Sequence, residues 1–178
     1  MILVSVDYSL TNPALTVFEG NSFNFKSCSF YSLSDYKIQN FDNFHFETHK
    51  DWIMNEERYH NISEWVMNKI PMDSIVAIEG YAMGARGRAI FNIAENGGLL
   101  KWKLWDKKIP FLLYSPAAIK KFATGKGTAT KLMMYDAWIQ ETGFKLMDKI
   151  QPKRMLGNPT TDIIDSYFIC KFAFVNQN

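Results

Sequence analysis

Cysteine is nearly absent from this chain: Cys28 and Cys170 are the only two among 178 residues. They stand far apart in no metal-ligand spacing, and nothing demands that they pair. A disulfide-built scaffold is thereby excluded, and a reducing, intracellular compartment is expected. Long apolar runs are missing as well. The stretch Met1-Ile2-Leu3-Val4-Ser5-Val6-Asp7 has no basic region and is too short for a signal peptide or a membrane span. The expectation is a soluble protein with no membrane partner, in the cytoplasm of a bacterium or of a virus-infected host. There is no internal repeat and no low-complexity tract. With 47% apolar residues the chain can bury one sizeable core, and its length argues against two full domains, so residues 1–178 are read as one.

Strong net charge is also lacking, since the formal balance is only +2. That figure conceals an asymmetry. Residues 1–78 carry 5 Lys/Arg against 10 Asp/Glu, residues 79–155 carry 14 against 6, and residues 156–178 carry one Lys against two Asp. A basic middle segment in an otherwise acidic chain fits a polyanion-binding face, because neutralising phosphates with counterion release is the generic source of DNA affinity. A solvated helix surface explains the same count.

The pattern along the chain predicts alternating strands and helices. Met1–Val6 is apolar and β-branched, Thr11-Asn12-Pro13 marks a turn, and Ala14–Phe18 resumes strand character. Phe23–Tyr31 alternates as a third antiparallel strand would. Residues 33–51 show no firm periodicity and are expected to form an irregular connection. A helix is expected over Glu56–Lys69, closed by Pro71, then a buried strand over Ser74–Ile78. A long helix over Arg88–Lys107 follows despite Gly97-Gly98, then a strand over Ile109–Tyr114. Ser115-Pro116 opens a short helix as N-cap and first-turn proline. Thr128–Thr142 is helical again, and a last helix starts at Thr160 or Thr161 and runs to about Phe174. This order predicts an α/β fold with a mixed five-stranded sheet, three antiparallel strands then two parallel, flanked by helices.

Carboxylates stand where an apolar pattern would not put them. Asp7 and Glu79 each directly follow a buried strand, and burying a carboxylate is costly unless a cation or hydrogen bonds offset it. Asp162 and Asp165 are three apart, on one face of the last helix's first turn. Each alone has an ordinary reading, as a strand-end turn residue or as a helix cap. Together, from two strand ends and one helix start, the four can converge at the carboxyl edge of a sheet. All-oxygen ligation selects Mg²⁺ or Mn²⁺ over Zn²⁺. A pair of such ions ~3.5–4 Å apart would activate a water and stabilise the leaving 3′ oxygen of a phosphodiester.

Other signals are set aside. Gly125-Lys126-Gly127-Thr128 lacks the glycine spacing and the following Ser/Thr of a phosphate loop, and reads as a tight turn between helices. His45-Phe46-Glu47-Thr48-His49 places its Glu one position too late for a zinc-protease motif. Trp102 and Trp105, three apart, fit core or dimer-interface positions better than base-stacking platforms.

The order of these motifs resembles the RuvC-type Holliday junction resolvases of the RNase H-like superfamily. The resemblance is carried by Val4-Ser5-Val6-Asp7-Tyr8-Ser9, by Val76-Ala77-Ile78-Glu79 with Gly84-Ala85-Arg86-Gly87-Arg88-Ala89 after it, by Tyr114-Ser115-Pro116 through Gly125-Lys126-Gly127 to Lys131, and by Thr161-Asp162-Ile163-Ile164-Asp165-Ser166. It implies an RNase H-like fold, Mg²⁺ (with Mn²⁺ substituting) held by Asp7, Glu79, Asp162 and Asp165, and a catalytic role for Lys131. It also implies DNA contacts from Tyr81, Arg86, Arg88, Lys120, Lys121, Lys126 and Lys131, and a homodimer that nicks the two strands of a four-way junction symmetrically. Tyr8-Ser9 departs from the family's small residues, Tyr81 or Met83 only loosely matches its aromatic wedge, and residues 33–73 show no family motif. Two further readings stay open: a less selective nuclease on branched DNA or RNA–DNA hybrids, and a catalytically silent nucleic-acid-binding protein of the same fold.

Overall fold

The computed structural model describes residues 1–81, 89–150 and 155–177. Six strands form one mixed sheet in the order β4-β3-β2-β1-β5-β6: β1 (Ile2–Asp7), β2 (Ala14–Glu19), β3 (Cys28–Ser34), β4 (Phe44–Thr48), β5 (Ser74–Glu79) and β6 (Phe111–Tyr114). The helices are α1 (Asn55–Met67), α2 (Ala89–Asp106), α3 (Pro116–Thr124), α4 (Lys131–Thr142), α5 (Leu146–Ile150) and α6 (Thr160–Gln177). Pairing of β2 with β1 and β3 is antiparallel, whereas β1 with β5, β5 with β6 and β3 with β4 are parallel. Every strand but β2 therefore ends on the same edge of the sheet.

The expected α/β architecture is present, with a sixth strand in place of five. β4 lies inside the stretch read as irregular. Its alternation is just Phe44-His45-Phe46-Glu47, too short to stand out among the surrounding Asp and Asn, and an edge strand needs only one buried face. Phe44 and Phe46 supply that face, with Phe44 stacked on Phe30 at 4.6 Å between ring centroids. The third strand also starts later than its alternation suggests. Asn24 accepts from Ser27 N at 3.1 Å and caps a 3-10 turn over Phe25–Ser27.

Period-two alternation divides the sheet into two cores. Val4, Val6, Leu15, Leu33, Val76 and Ile78 face α1 and α2, together with Ile62, Val66, Leu100 and Leu104. Leu3, Ala14, Phe18, Phe30, Phe44 and Ala77 face the other side, where α6 supplies Ile163, Ile164, Tyr167, Phe168 and Cys170. The same parity turns Asp7 and Glu79 toward α6. No described helix is long and apolar enough to cross a membrane.

The second core is densely aromatic. Phe30 lies against Trp138 at 5.7 Å and Tyr167 at 6.2 Å, and Trp138 against Tyr167 at 5.0 Å. Such pairs add about 0.5–1.5 kcal/mol each beyond their buried area. Trp138 donates its indole N–H to Phe144 O at 2.7 Å, so its one polar atom is satisfied. Truncating Phe30 opens a cavity at the junction of sheet, α4 and α6, and Phe30→Ala is expected to lower stability by about 3–5 kcal/mol. Urea unfolding measures it; a loss below about 1 kcal/mol would show that this cluster does not hold the helices to the sheet.

Candidate active site

Asp7 closes β1 and Glu79 closes β5, and the parallel register pairing Val6 with Ile78 brings the two strand ends side by side. The first turns of α6 run over this edge. Asp162 is buried at 7% exposure, and Asp165 is half-buried one turn on. The structure thus brings all four expected carboxylates to one edge of the sheet.

Their protonation reflects that crowding. Burial raises Asp7 well above the usual carboxylate range, and the charges of Asp162, Asp165 and Glu79 raise it further, against Lys131. Burial and then Asp165 push Glu79 up to about 7, with Lys120 opposing. Asp162 is pushed up to about 8 by burial and Asp165, and Asp165 to about 6 by burial, with Lys120 and Lys131 opposing. One oxygen of Asp162, Oδ2, is buried without a hydrogen-bond partner.

Among the described residues, no group of three or more His, Cys, Asp or Glu side chains has the spacing to hold a metal ion as it stands. The carboxylates are neighbours whose side chains are not drawn into one shell. Their chemistry nonetheless fits a hard cation: four oxygen donors, mutual repulsion that a cation would relieve, and one orphaned buried oxygen.

Lysines flank the acids. Lys131, first residue of α4, donates to Asn158 Oδ1 at 3.1 Å and to Thr161 Oγ1 at 3.4 Å, and Thr161 in turn donates to Asn158 Oδ1 at 2.8 Å. Lys120 and Lys131 line a cavity of about 70 Å³ with Met134, Thr161, Ile164 and Asp165. Lys121 and Lys126 are exposed beyond it. Gly125 ends α3 with φ 79°, the left-handed value that favours glycine, and a Cβ on Gly127 would meet Ala117 O at 3.2 Å. The Gly-Lys-Gly segment is therefore the tight turn that the sequence suggests.

Tyr81 is not a free wedge. Its hydroxyl donates to Ala94 O at 3.2 Å, and the Lys101 ammonium lies 4.7 Å from its ring centroid. A Cβ on Gly97 would come within 2.7 Å of that hydroxyl, which explains the glycine in mid-helix. Met83, Arg86 and Arg88 lie outside the described residues. Of the two histidines set aside, His45 stacks on Tyr31 at 4.9 Å and His49 Nε2 bonds Thr11 O at 2.7 Å. Sequence reasoning missed Asn158 and Thr161, whose partner Lys131 is 27 and 30 positions away.

The profile of the crossover junction endodeoxyribonuclease RuvC family matches residues 40–156. The chain belongs to the RuvC family. The match takes in residues 40–73, where the sequence shows no recognisable family motif, and Glu79, Lys120 and Lys131. It leaves out Asp7, Asp162 and Asp165. No curated protein sequence matches.

Solved structures extend the RuvC fold to the whole chain. Thermus thermophilus RuvC superposes with TM-score 0.61 at 16% identity over 99% of this chain and 96% of its own. The T. thermophilus RuvC complex with a Holliday junction substrate gives 0.59 at 12% identity, with the same coverage. A Fowlpox virus resolvase in complex with Holliday junction DNA gives 0.53 at 16% identity over 99% of each chain.

The raised carboxylates make a pH prediction. The unfolded chain loses these protons from about pH 4 upward, whereas folded Asp165, Glu79 and Asp162 keep theirs to about 6, 7 and 8. The folded state binds the extra protons, so stability in EDTA falls as pH rises from about 4 to about 8. Folded Asp7 also keeps its proton well above the usual range while the unfolded chain loses it, so Asp7→Asn removes that group's share and should flatten the fall, and Mg²⁺ should raise Tm more at pH 8 than at pH 5.5. Thermal melts across pH 5–8 decide; parallel curves for both proteins would refute the raised protonation of buried Asp7.

Proposed function

We propose that this RuvC-family chain is a single-domain, divalent-metal-dependent endonuclease that cuts four-way DNA junctions by symmetric nicking, in cytoplasmic recombination, repair or DNA processing. The observation that carries it is the gathering of Asp7, Glu79, Asp162 and Asp165 at one sheet edge with Lys120 and Lys131 beside them. Asp7, Glu79, Asp162 and Asp165 would hold Mg²⁺, for which Mn²⁺ would substitute. Bound there, the metal supplies Lewis-acid activation of water and phosphate.

The chain's own contribution is orientation and charge. In this reading the ionised acids face the reacting phosphate from one side, while Lys131, held by Asn158 and Thr161, and Lys120 neutralise its oxygens from the other. Exposed Lys121 and Lys126 track the neighbouring backbone, adding affinity without sequence information. Tyr81, released from α2, and Arg86 and Arg88 would contact the branch.

Symmetric nicking needs two sites, and α2 offers a surface for a second copy. Phe91, Trp102 and Trp105 are 67%, 56% and 70% exposed along one stripe, and a Cβ on Gly98 between them would meet nothing within 4 Å. The core reading of these two tryptophans is thereby removed, and the dimer reading is favoured.

A nicking assay on a synthetic junction tests the activity. Asp7→Asn and Glu79→Gln are expected to cut at least about 10³-fold more slowly while binding the junction within about threefold of wild type. Equal cutting of linear duplex and junction would sink the junction selectivity, and wild-type nicking by Asp7→Asn would sink the site. For assembly, Trp102→Glu with Trp105→Glu should turn a dimer into a monomer by light scattering; an unchanged mass would remove α2 as the interface.

A further inference from the structure

We infer that Ser166, with Thr16 and Ser5, is a positioning device that sets the register of α6 on the sheet and thereby the carboxylates it carries. The inference rests on the reading that those carboxylates bind a cation. Ser5, Thr16 and Ser166 are all fully buried. Ser5 and Thr16 face each other across the β1–β2 ladder, and both turn toward α6 on the face that Asp7 shares.

The donor directions are determined. Ser166 Oγ donates to Ile163 O at 2.8 Å, within its own helix. Its only proton being used there, the 2.8 Å contact with Thr16 Oγ1 has Thr16 as donor. Ser5 Oγ donates to Ser166 O at 2.6 Å. One helix residue is thus tied to two strands, through its hydroxyl and its carbonyl.

Such a device is a poor source of stability. Its surroundings are apolar, including Leu3, Ala14, Phe18, Ile163, Ile169 and Cys170, and replacing buried polar partners on both sides by apolar groups is often nearly neutral. What the three hydroxyls add is a defined register. An apolar interface tolerates sliding, and a slip of one residue moves a helix about 1.5 Å and turns it by about 100°. Ser166 directly follows Asp165, and Ser5 is two residues from Asp7 on the same side of its strand, about 6.6 Å away. Register set at Ser166 is therefore register set between Asp165 and Asp7.

The test replaces the hydroxyl link without leaving an orphan. Ser5→Ala, Thr16→Val and Ser166→Ala together remove all three hydroxyls, Thr16→Ser is the conservative control at the Thr16 contact, and Ile169→Val is a packing control on the same helix. Urea midpoint, Mn²⁺ affinity of the DNA-free protein by calorimetry, and kcat and KM for junction nicking are measured for each. The triple variant is expected to unfold cooperatively, with a midpoint shift no larger than the Ile169→Val control. Its Mn²⁺ Kd should rise about tenfold or more, the scale on which supporting contacts act on metal sites, and kcat should fall with KM unchanged. Thr16→Ser and Ile169→Val should bind Mn²⁺ as wild type does. Wild-type affinity in the triple variant, or equal weakening in Ile169→Val, would overturn the positioning role alone. Wild-type protein whose Mn²⁺ binding does not depend on Asp7 would overturn the functional reading, and this inference with it.

Discussion

Four carboxylates that repel one another, held together at the edge of an apolar sheet, are the constraint to which the rest of the structure answers. Desolvation opposes ionisation at each of them, and every ionised neighbour adds to the cost. Left to itself, such a cluster would splay or draw water into the core. Lys120 and Lys131 oppose the repulsion directly. At the N-terminal turn of α6 the backbone N–H of Asp162 bonds its own carboxylate and favours its charged form. Neither makes the cluster comfortable at neutral pH, and a hard cation would complete the balance. The site is thus a strained arrangement that a bound cation would relieve.

Strand polarity determines where that arrangement can form. With only β2 reversed, the ends of β1, β3, β4, β5 and β6 and the loops that follow them share one edge. Alternation along β1 and β5 then decides the face: residues of the parity of Leu3 and Ser5 meet α6, and Asp7 inherits it. A single-residue bulge in either strand would turn its carboxylate toward α1 and α2, away from Asp162 and Asp165. The loop after Asp7 is itself held, since Arg58 donates to Leu10 O at 2.8 Å while stacking on Trp52 at 4.4 Å, and Asn12 donates to Leu33 O at 3.2 Å.

How much of this was legible in the sequence follows from how local each signal is. Asp7 and Glu79 could be read because a charge ending an apolar strand is anomalous within six residues. β4 could not, because an edge strand whose burial rests on Phe44 and Phe46 is too brief to show a period. The basic middle segment was legible as a count but overstates a DNA face. Lys103 is committed to Glu64 and Ser63 at 2.5 and 2.7 Å, and Lys101 lies over Tyr81. Ser5 and Thr16 are visible anomalies in apolar strands, yet their partner Ser166 lies 161 and 150 positions away, beyond any spacing rule.

That separation explains how one helix serves two demands. From Tyr167 onward α6 is an anchor: Tyr167 packs with Phe23 and Trp138, Phe172 with Tyr114 and Phe122, and Phe174 with Phe18. Before that point Ile163 and Ile164 still pack in the core, and polar, directional contacts are added, through Ser166 to β1 and β2 and through Thr161 to Asn158 and Lys131 outside the sheet. Apolar packing is strong but indifferent to small slips, whereas hydrogen bonds contribute little net energy but fix direction. Placing the first kind at the C-terminal end and the second beside Asp162 and Asp165 lets the aromatic cluster carry the cost of buried acids, while three hydroxyls decide where those acids point.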